Sequence, residues 1–470
     1  MKKKKISDYL QHAALALSLL SFGTIVYAAE DVKVLLEILL EKGILTQEEF
    51  DKKLKKAQEA EEIRAFNAAQ DISRANREIE QRAETERKFK TQIYGQVAAG
   101  YYQASNMTSD NASAQGMSEQ PRGNNRLGLK VSRELDADNT AMITLESSFS
   151  ARTGAVGRDA AGYGTANSGT PGAALLDRDA NVRWISRNYG SFILGRGANL
   201  QNDLSSAFDS RQNWNFGGLK PIGRYAGFHG AGGINRADKL LRYISPTWQG
   251  FNLDTGVSFS GVAGNEEKGT NFYIGGRYKN GNFEMGYNHA EVKLGSSSAP
   301  TSIDAVNNRV DFFAARYAFD KLTVNAGYVV TRNPNPTGAR GAYFDTVKAA
   351  GSVSADTWFS GAVYKFSPEF SWNLGYYVVN DKTVQVCAGA PAALNCNNGL
   401  RMFASGLTWS PYKEWDFFVD YARVVRENGA TGAFTIYDKW KPDTGSASTS
   451  GYSESTLSQS GLSVGAQFKF

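Results

Sequence analysis

The 470-residue chain carries 52 Lys+Arg against 47 Asp+Glu, a formal net charge of +5, with 48 Gly, 22 Tyr, 26 Phe and 8 Trp but only 2 Cys. So mild a basic bias excludes a nucleic-acid binder. The mean hydropathy of −0.40 is that of a soluble protein, yet it also suits a chain that would show lipid only every second residue.

Lys2 to Lys5 and the apolar run from Ala13 to Val26 read as a signal peptide, with Val26-Tyr27-Ala28 as its small-residue cleavage site. Residues 1-28 are therefore expected to be removed. No later stretch is long and apolar enough to cross a bilayer as a helix. Any crossing must be made by strands.

Residues 29-90 have a helical period. Val32, Leu35, Leu36 and Leu39 share one face of a helix over Asp31 to Glu41, Gly43 ends it, and Thr46-Gln47-Glu48-Glu49 is a capping box that opens a second helix. Ala65, Ala68, Ile72, Ala75, Ile79, Arg82, Glu86 and Phe89 then recur by threes and fours. This heptad stripe is compatible with a solvated single helix, a short periplasmic coiled coil between subunits, or a peptidoglycan contact.

From residue 91 the period changes to two. Strands are predicted from Gln92 onward and near 124-136, 139-151, 176-187, 189-198, 238-246, 251-261, 270-279, 283-293, 308-319, 322-332, 355-366, 370-382, 400-411, 415-427 and 456-470. Sixteen is the even count that closes a single-chain barrel with both ends on one side. Short turns such as Asp136-Ala137-Asp138 and Ser367-Pro368-Glu369 alternate with long Ser/Gly/Ala/Asn-rich loops. The last strand alternates Leu462, Val464, Ala466, Phe468 and Phe470 with small or polar residues, and the chain stops on that aromatic.

The expected fold is thus an all-β membrane protein: a 16-stranded antiparallel transmembrane β-barrel over 91-470, preceded by the helical segment 29-90. Phe370, Trp372, Leu374, Tyr376 and Val378 should face lipid, as should Trp415, Phe417, Val419 and Tyr421. Sixteen strands leave a water-filled lumen. The 199-237 connection holds Phe208, Trp214, Phe216, Leu219 and Tyr225, too many large apolar groups for a solvated loop. It should fold inward and narrow the bore.

Several motifs in order resemble the trimeric general porins of Gram-negative bacteria, in particular the β-proteobacterial and neisserial type. They are Ile93-Tyr94-Gly95-Gln96, Asn125-Arg126-Leu127-Gly128-Leu129-Lys130, Tyr189-Gly190 through Gly195-Arg196, Phe216-Gly217-Gly218, and Arg242-Tyr243-Ile244-Ser245-Pro246 with Gly250-Phe251. The leading helical hairpin is also similar to the amino end of phosphate-selective porins, which keeps a substrate-specific anion channel as an alternative, beside a barrel that anchors the outer membrane to the cell wall.

The resemblance implies a homotrimer in the outer membrane, among lipid and lipopolysaccharide, passing ions and small hydrophilic solutes by diffusion. It implies basic groups on the inner wall facing acidic groups on the constriction loop, an arrangement that sets ion preference. Carried over by position, Arg126 and Arg178 are wall bases, Lys130 and Gln96 take lumen positions, and Arg236, Lys239 and Arg242 compete for a third base. Asp203 and Asp209 are the loop acids. Asn215 stands where relatives have a second carboxylate, with Arg211, Lys220 and Arg224 nearby. One acid fewer implies weak anion preference.

Alternation from Phe192 and Leu194 points Arg196 out of the barrel, as a subunit contact. Alternation from Arg178 puts Asp179, Asn181 and Arg183 outside as well. Cys387 and Cys396 are placed to close a disulfide in an outer loop of an exported chain. No cofactor, metal or enzymatic function is expected: beyond residue 28 the only histidines are His229 and His289, and no nucleophile-base pair can be argued.

Overall fold

The computed structural model describes residues 32–106, 113–151, 154, 156, 175–229, 236–259, 269–293, 308–333, 353–381, 398–427 and 458–470. The proposed signal peptide, the Cys387–Cys396 loop and most of the outer loops lie outside the described residues. The chain divides at Lys88/Phe89 into two compact units.

The first unit is helical. Helix α1 spans 32–41 and buries Leu36. Gly43, at φ +68°, turns the chain where a Cβ would be strained. Helix α2 runs from Gln47 to Lys88 without a break. Its capping box is formed: Thr46 N donates to Glu49 Oε2 at 3.0 Å, and Glu49 N donates to Thr46 Oγ1 at 3.3 Å. The Thr46 backbone N–H, together with the Thr46 hydroxyl that donates to the same Oε2 at 3.0 Å, holds the Glu49 carboxyl below its usual range. A depressed native pKa means that the box contributes fully above the ordinary glutamate range and is lost as pH falls through the lowered value. Thr46→Ala should therefore speed amide exchange over residues 47–50 about fivefold at neutral pH, with less effect near pH 3, read by hydrogen exchange. Among the described residues no helix is long and apolar enough to cross a membrane.

The second unit is a closed antiparallel barrel. Its strands are β1 (Phe89–Ser105), β3 (Arg126–Glu134), β4 (Asn139–Ser148), β5 (Asp179–Ser186), β6 (Gly190–Ala198), β7 (Arg236–Ile244), β8 (Phe251–Ser258), β9 (Asn271–Asn280), β10 (Phe283–Val292), β11 (Asn308–Ala318), β12 (Leu322–Asn333), β13 (Val353–Lys365), β14 (Phe370–Asp381), β15 (Asn398–Tyr412), β16 (Trp415–Glu427) and β17 (Ser458–Lys469). These are the sixteen expected strands, each paired with its sequence neighbour, and β1 closes the cylinder against β17. Gly95 and Phe470 exchange backbone hydrogen bonds at 3.0 and 3.2 Å, so the terminal aromatic residue completes the seam. The first strand begins at Phe89, three residues earlier than the pattern suggested.

One element was not expected. The first outer loop contains β2 (Ala114–Glu119), which pairs with the upper half of β1, while β3 pairs only with the lower half. The sequence Ala-Gln-Gly-Met-Ser-Glu has no greasy alternation, so periodicity could not find it.

Strand facing follows the alternation on the carboxyl-terminal side. Trp372, Tyr376, Trp415, Phe417, Val419 and Tyr421 are exposed, while Asn373, Tyr377, Val379, Phe418 and Asp420 are buried inside. Near the short-turn ends aromatic rings pack together in a girdle, including Trp415–Phe468 at 4.9 Å, Trp409–Phe417 at 5.5 Å and Trp184–Phe192 at 5.6 Å between ring centroids. Such belts mark the membrane–water boundary.

Candidate functional site: a divided lumen

The third outer loop, which follows β6, enters the barrel. Its first part is helix α3 (Leu200–Phe208), capped by Asn199, whose side chain accepts from Asn202 N at 3.1 Å. Leu200, Leu204 and Phe208 recur every fourth residue and form one buried face. Helix α4 (Leu219–Tyr225) follows. Together with Phe216, Ile222, Tyr225 and Phe228 these side chains pack on Tyr273, Phe312, Phe359, Tyr377, Met402 and their neighbours as one apolar core. Wall groups also serve the carbonyls that end α3: Arg316 Nη1 donates to Ala207 O at 2.9 Å, and Asn325 Nδ2 donates to Phe208 O.

The apolar side of the loop thus fills the half of the lumen beside β9–β16. The open space lies between the loop and the β1–β7 wall, and toward the short turns it also borders β11–β16. It is a cavity of about 1210 Å³ that runs from Asp177 and His229 on the loop side to Asp416 and Lys469 on the turn side.

Its walls are unevenly charged. Among the described residues ten basic side chains border it (Arg122, Arg126, Lys130, Arg178, Arg183, Arg196, Lys220, Arg236, Arg316 and Lys469), against six acids (Glu146, Asp177, Asp179, Asp209, Asp238 and Asp416). Arg126, Arg178 and Arg236 share Glu146, with Arg126 and Arg236 each 3.7 Å from it, and Arg236 also reaches Asp179 at 3.4 Å. Gln96 borders the same space and donates to Asn124 O at 3.1 Å.

The loop acids do not supply the expected counter-charge. Asp209 is buried and accepts from Arg211 N, Asn213 N, Leu219 N and the Tyr377 hydroxyl at 3.1, 2.9, 2.8 and 2.6 Å. It organises the loop, because a buried carboxylate needs several donors. Asp203 pairs with Arg242 at 2.7 Å. Arg242 also holds Asp254 through two bonds of 3.0 and 2.5 Å and donates to Ala198 O, so its charge is spent tying the loop root to the wall. Of the three candidates for the third wall base, Arg236 borders the cavity, Arg242 is internally neutralised, and Lys239 is exposed at a bulge with φ +51°.

Arg211 is likewise a latch rather than a pore group. It is fully buried, donates to Asp420 at 3.0 Å and to Asn373, and lies 4.6 Å from the Trp214 ring. Asn215 is buried too, donating to Gln120 O at 2.5 Å and accepting from Lys220 Nζ at 2.7 Å.

Those bonds expose a partner that the sequence reading missed. Residues 120–125 of the first loop also turn into the barrel, and Phe216 N donates to Pro121 O at 3.1 Å. Arg122 crosses to β16, where Asp420 accepts from Nε and Nη2 at 2.9 Å each. Its guanidinium lies between Trp214 at 4.1 Å and Phe418 at 4.3 Å. Two loops therefore share one buried acid. The odd arginine in a loop otherwise rich in Gly, Asn and Ser was the only available clue.

Two facing predictions are corrected. Asp179 and Asn181 are buried on the inner side of β5 and Arg183 borders the cavity, whereas Val182 and Trp184 are exposed outside. Alternation counted from Arg178 fails because Arg178 precedes the strand and bonds Glu146 from the loop. Arg196 does not need a neighbouring subunit. It pairs with Asp238 and donates to Asp177 O at 2.6 Å, beside a register shift between Gly195 and Gly197.

A closed sixteen-stranded barrel with an aromatic girdle, an inward-folded loop and a polar cavity within the lumen defines a multi-pass outer-membrane channel for passive diffusion. The model described as Gram-negative porin matches residues 65–429, and the chain belongs to that family. Among solved structures it is similar to an anion-selective porin from Comamonas acidovorans, with 18% identity over 82% of this chain and 100% of that one and a TM-score of 0.61. It is also similar to Salmonella typhi OmpF in complex with daunomycin, with 17% identity over 81% of this chain and 98% of that one and a TM-score of 0.51. A search of curated proteins found no match by sequence. Family and fold are those of channels rather than enzymes.

Proposed function

We propose that the channel prefers anions among the ions and small hydrophilic solutes that diffuse through it, and that it works as a homotrimer in contact with outer-membrane lipid. The observation that carries the preference is the one-sided charge of the cavity: among the described residues ten bases border it against six acids, while Asp203 is held on Arg242 and the Asp209 carboxylate is taken up by four donors. Fixed charges of one sign in a narrow aqueous bore concentrate counter-ions. The Ala65–Ile79 stripe of α2 supports a seam between subunits in the same assembly. It is thin, and tethering to peptidoglycan is the competing use of that helix.

Planar-bilayer recording across a tenfold KCl gradient should give a reversal potential on the anion side. Arg126→Glu changes the local charge by two and should lower the anion-to-cation permeability ratio about threefold, with a smaller effect at 1 M salt. A wild-type reversal potential on the cation side would sink the proposal.

A further inference from the structure

The register of the sheet brings a particular group of side chains together on the β3–β5 wall. Lys130 stands directly opposite Thr144, Thr144 opposite Asn181, and Arg183 opposite Met142. Lys130, Thr144 and Arg183 all border the cavity. Ordinary sheet spacing places the Lys130 and Arg183 Cα atoms roughly 12 Å apart, two strands over and two residues down. Two long side chains can close on a small solute across that span.

Neither charge is spent on an acid. Lys130 Nζ lies 4.5 Å from the Tyr94 ring, and Arg183 Nε donates to the Asn181 amide oxygen at 2.9 Å. Among the described residues neither base has a carboxylate partner. This sets them apart from Arg178, Arg236 and Arg242, which are held by Glu146, Asp179, Asp203 and Asp254.

Between them lies an unanswered donor. Thr144 is only 2% exposed, yet its hydroxyl has no hydrogen-bond partner among the described residues. A buried polar group without a partner is costly, and an oxygen acceptor arriving from the lumen would remove that cost.

We propose that Lys130, Thr144 and Arg183 form a binding station for small doubly charged oxyanions, which the channel captures before release. This rests on the anion-preferring channel reading and adds a substrate class to it. A dianion can meet both bases at once and accept from the Thr144 hydroxyl, whereas chloride can engage one base at a time. The outcome is saturable flux for dianions in a pore whose chloride conductance rises linearly.

The test is single-channel recording of the full chain in potassium succinate and in potassium phosphate at rising concentration, each scaled to chloride conductance in the same channels. Wild-type current should saturate for one or both dianions, and the responding arm identifies dicarboxylate or phosphate as the ligand. Thr144→Val keeps the side-chain shape and should raise the half-saturating concentration about threefold to tenfold. Lys130→Gln should do the same by at least as much, and it is a second readout should Thr144→Val fail to assemble as a heat-modifiable barrel. Linear current for both dianions would overturn the station while leaving the anion channel intact. Saturation unchanged in both folded variants would overturn it as well. Cation-selective wild-type channels would instead remove the reading beneath it.

Discussion

Replacing Asp420 by asparagine is expected to release the constriction. This carboxylate is fully buried and is shared by Arg122 from the first loop and Arg211 from the third. Asparagine keeps the size but removes the charge, leaving two guanidinium groups buried with only neutral acceptors such as Thr408 Oγ1 at 2.7 Å. Breaking a buried pair from one side costs about 3–5 kcal/mol. The barrel has its own closed ladder of backbone bonds, so the loss should appear in the loops first. We expect larger and noisier single-channel currents and proteolytic cleavage near Arg211 at temperatures the wild type withstands. Quiet, unchanged channels in Asp420→Asn would refute the latch. Gly406 supplies an independent check, because a Cβ there would fall inside contact distance of Asp420 Oδ1 and Arg211 Nη1. Gly406→Ala should reproduce the noise without touching any charge.

The second large effect belongs to the apolar bed of the loop. Phe208 is fully buried where α3 meets the wall, and Gly286 of β10 is small enough to let Leu204 and Phe208 approach. Phe208→Ala should cost about 3–5 kcal/mol of loop docking, from lost burial and the cavity left behind. Differential scanning calorimetry should then show an early, low-enthalpy transition ahead of barrel melting, with higher conductance above it. A single unshifted transition would mean that polar bonds alone hold the loop. Because Asp420 and Phe208 anchor different parts of the loop, the double variant reports how far the two anchors act together.

Much of the architecture was legible from local pattern. A period-two strand with one apolar face must put that face toward lipid, and a one-residue slip would invert every side chain. The alternation from Phe370 to Val378, the short turns and the terminal Phe470 therefore specify strand number, facing and closure without reference to distant residues. The large apolar groups of the 199-237 segment likewise required a home, and a wide barrel has only its lumen to offer.

The charges were less legible, since a residue's type does not say which partner will take its charge. Asp203 and Asp209 sit at family-like positions, yet one is spent on Arg242 and the other on the loop's own backbone. Alternation misplaces Arg196 and Asn181 because a bulge and a strand start shift the phase by one residue, and neither leaves a mark in hydropathy. The role of Arg122 is not legible in the sequence because its partner lies 298 positions away on β16. By itself the sequence determined the barrel, its membrane face and an occupied lumen, because these follow from repeating local preferences. Only the tertiary structure decided which charges remain free to meet a solute, because a buried ion or donor is satisfied by whichever group the closed cylinder brings opposite it.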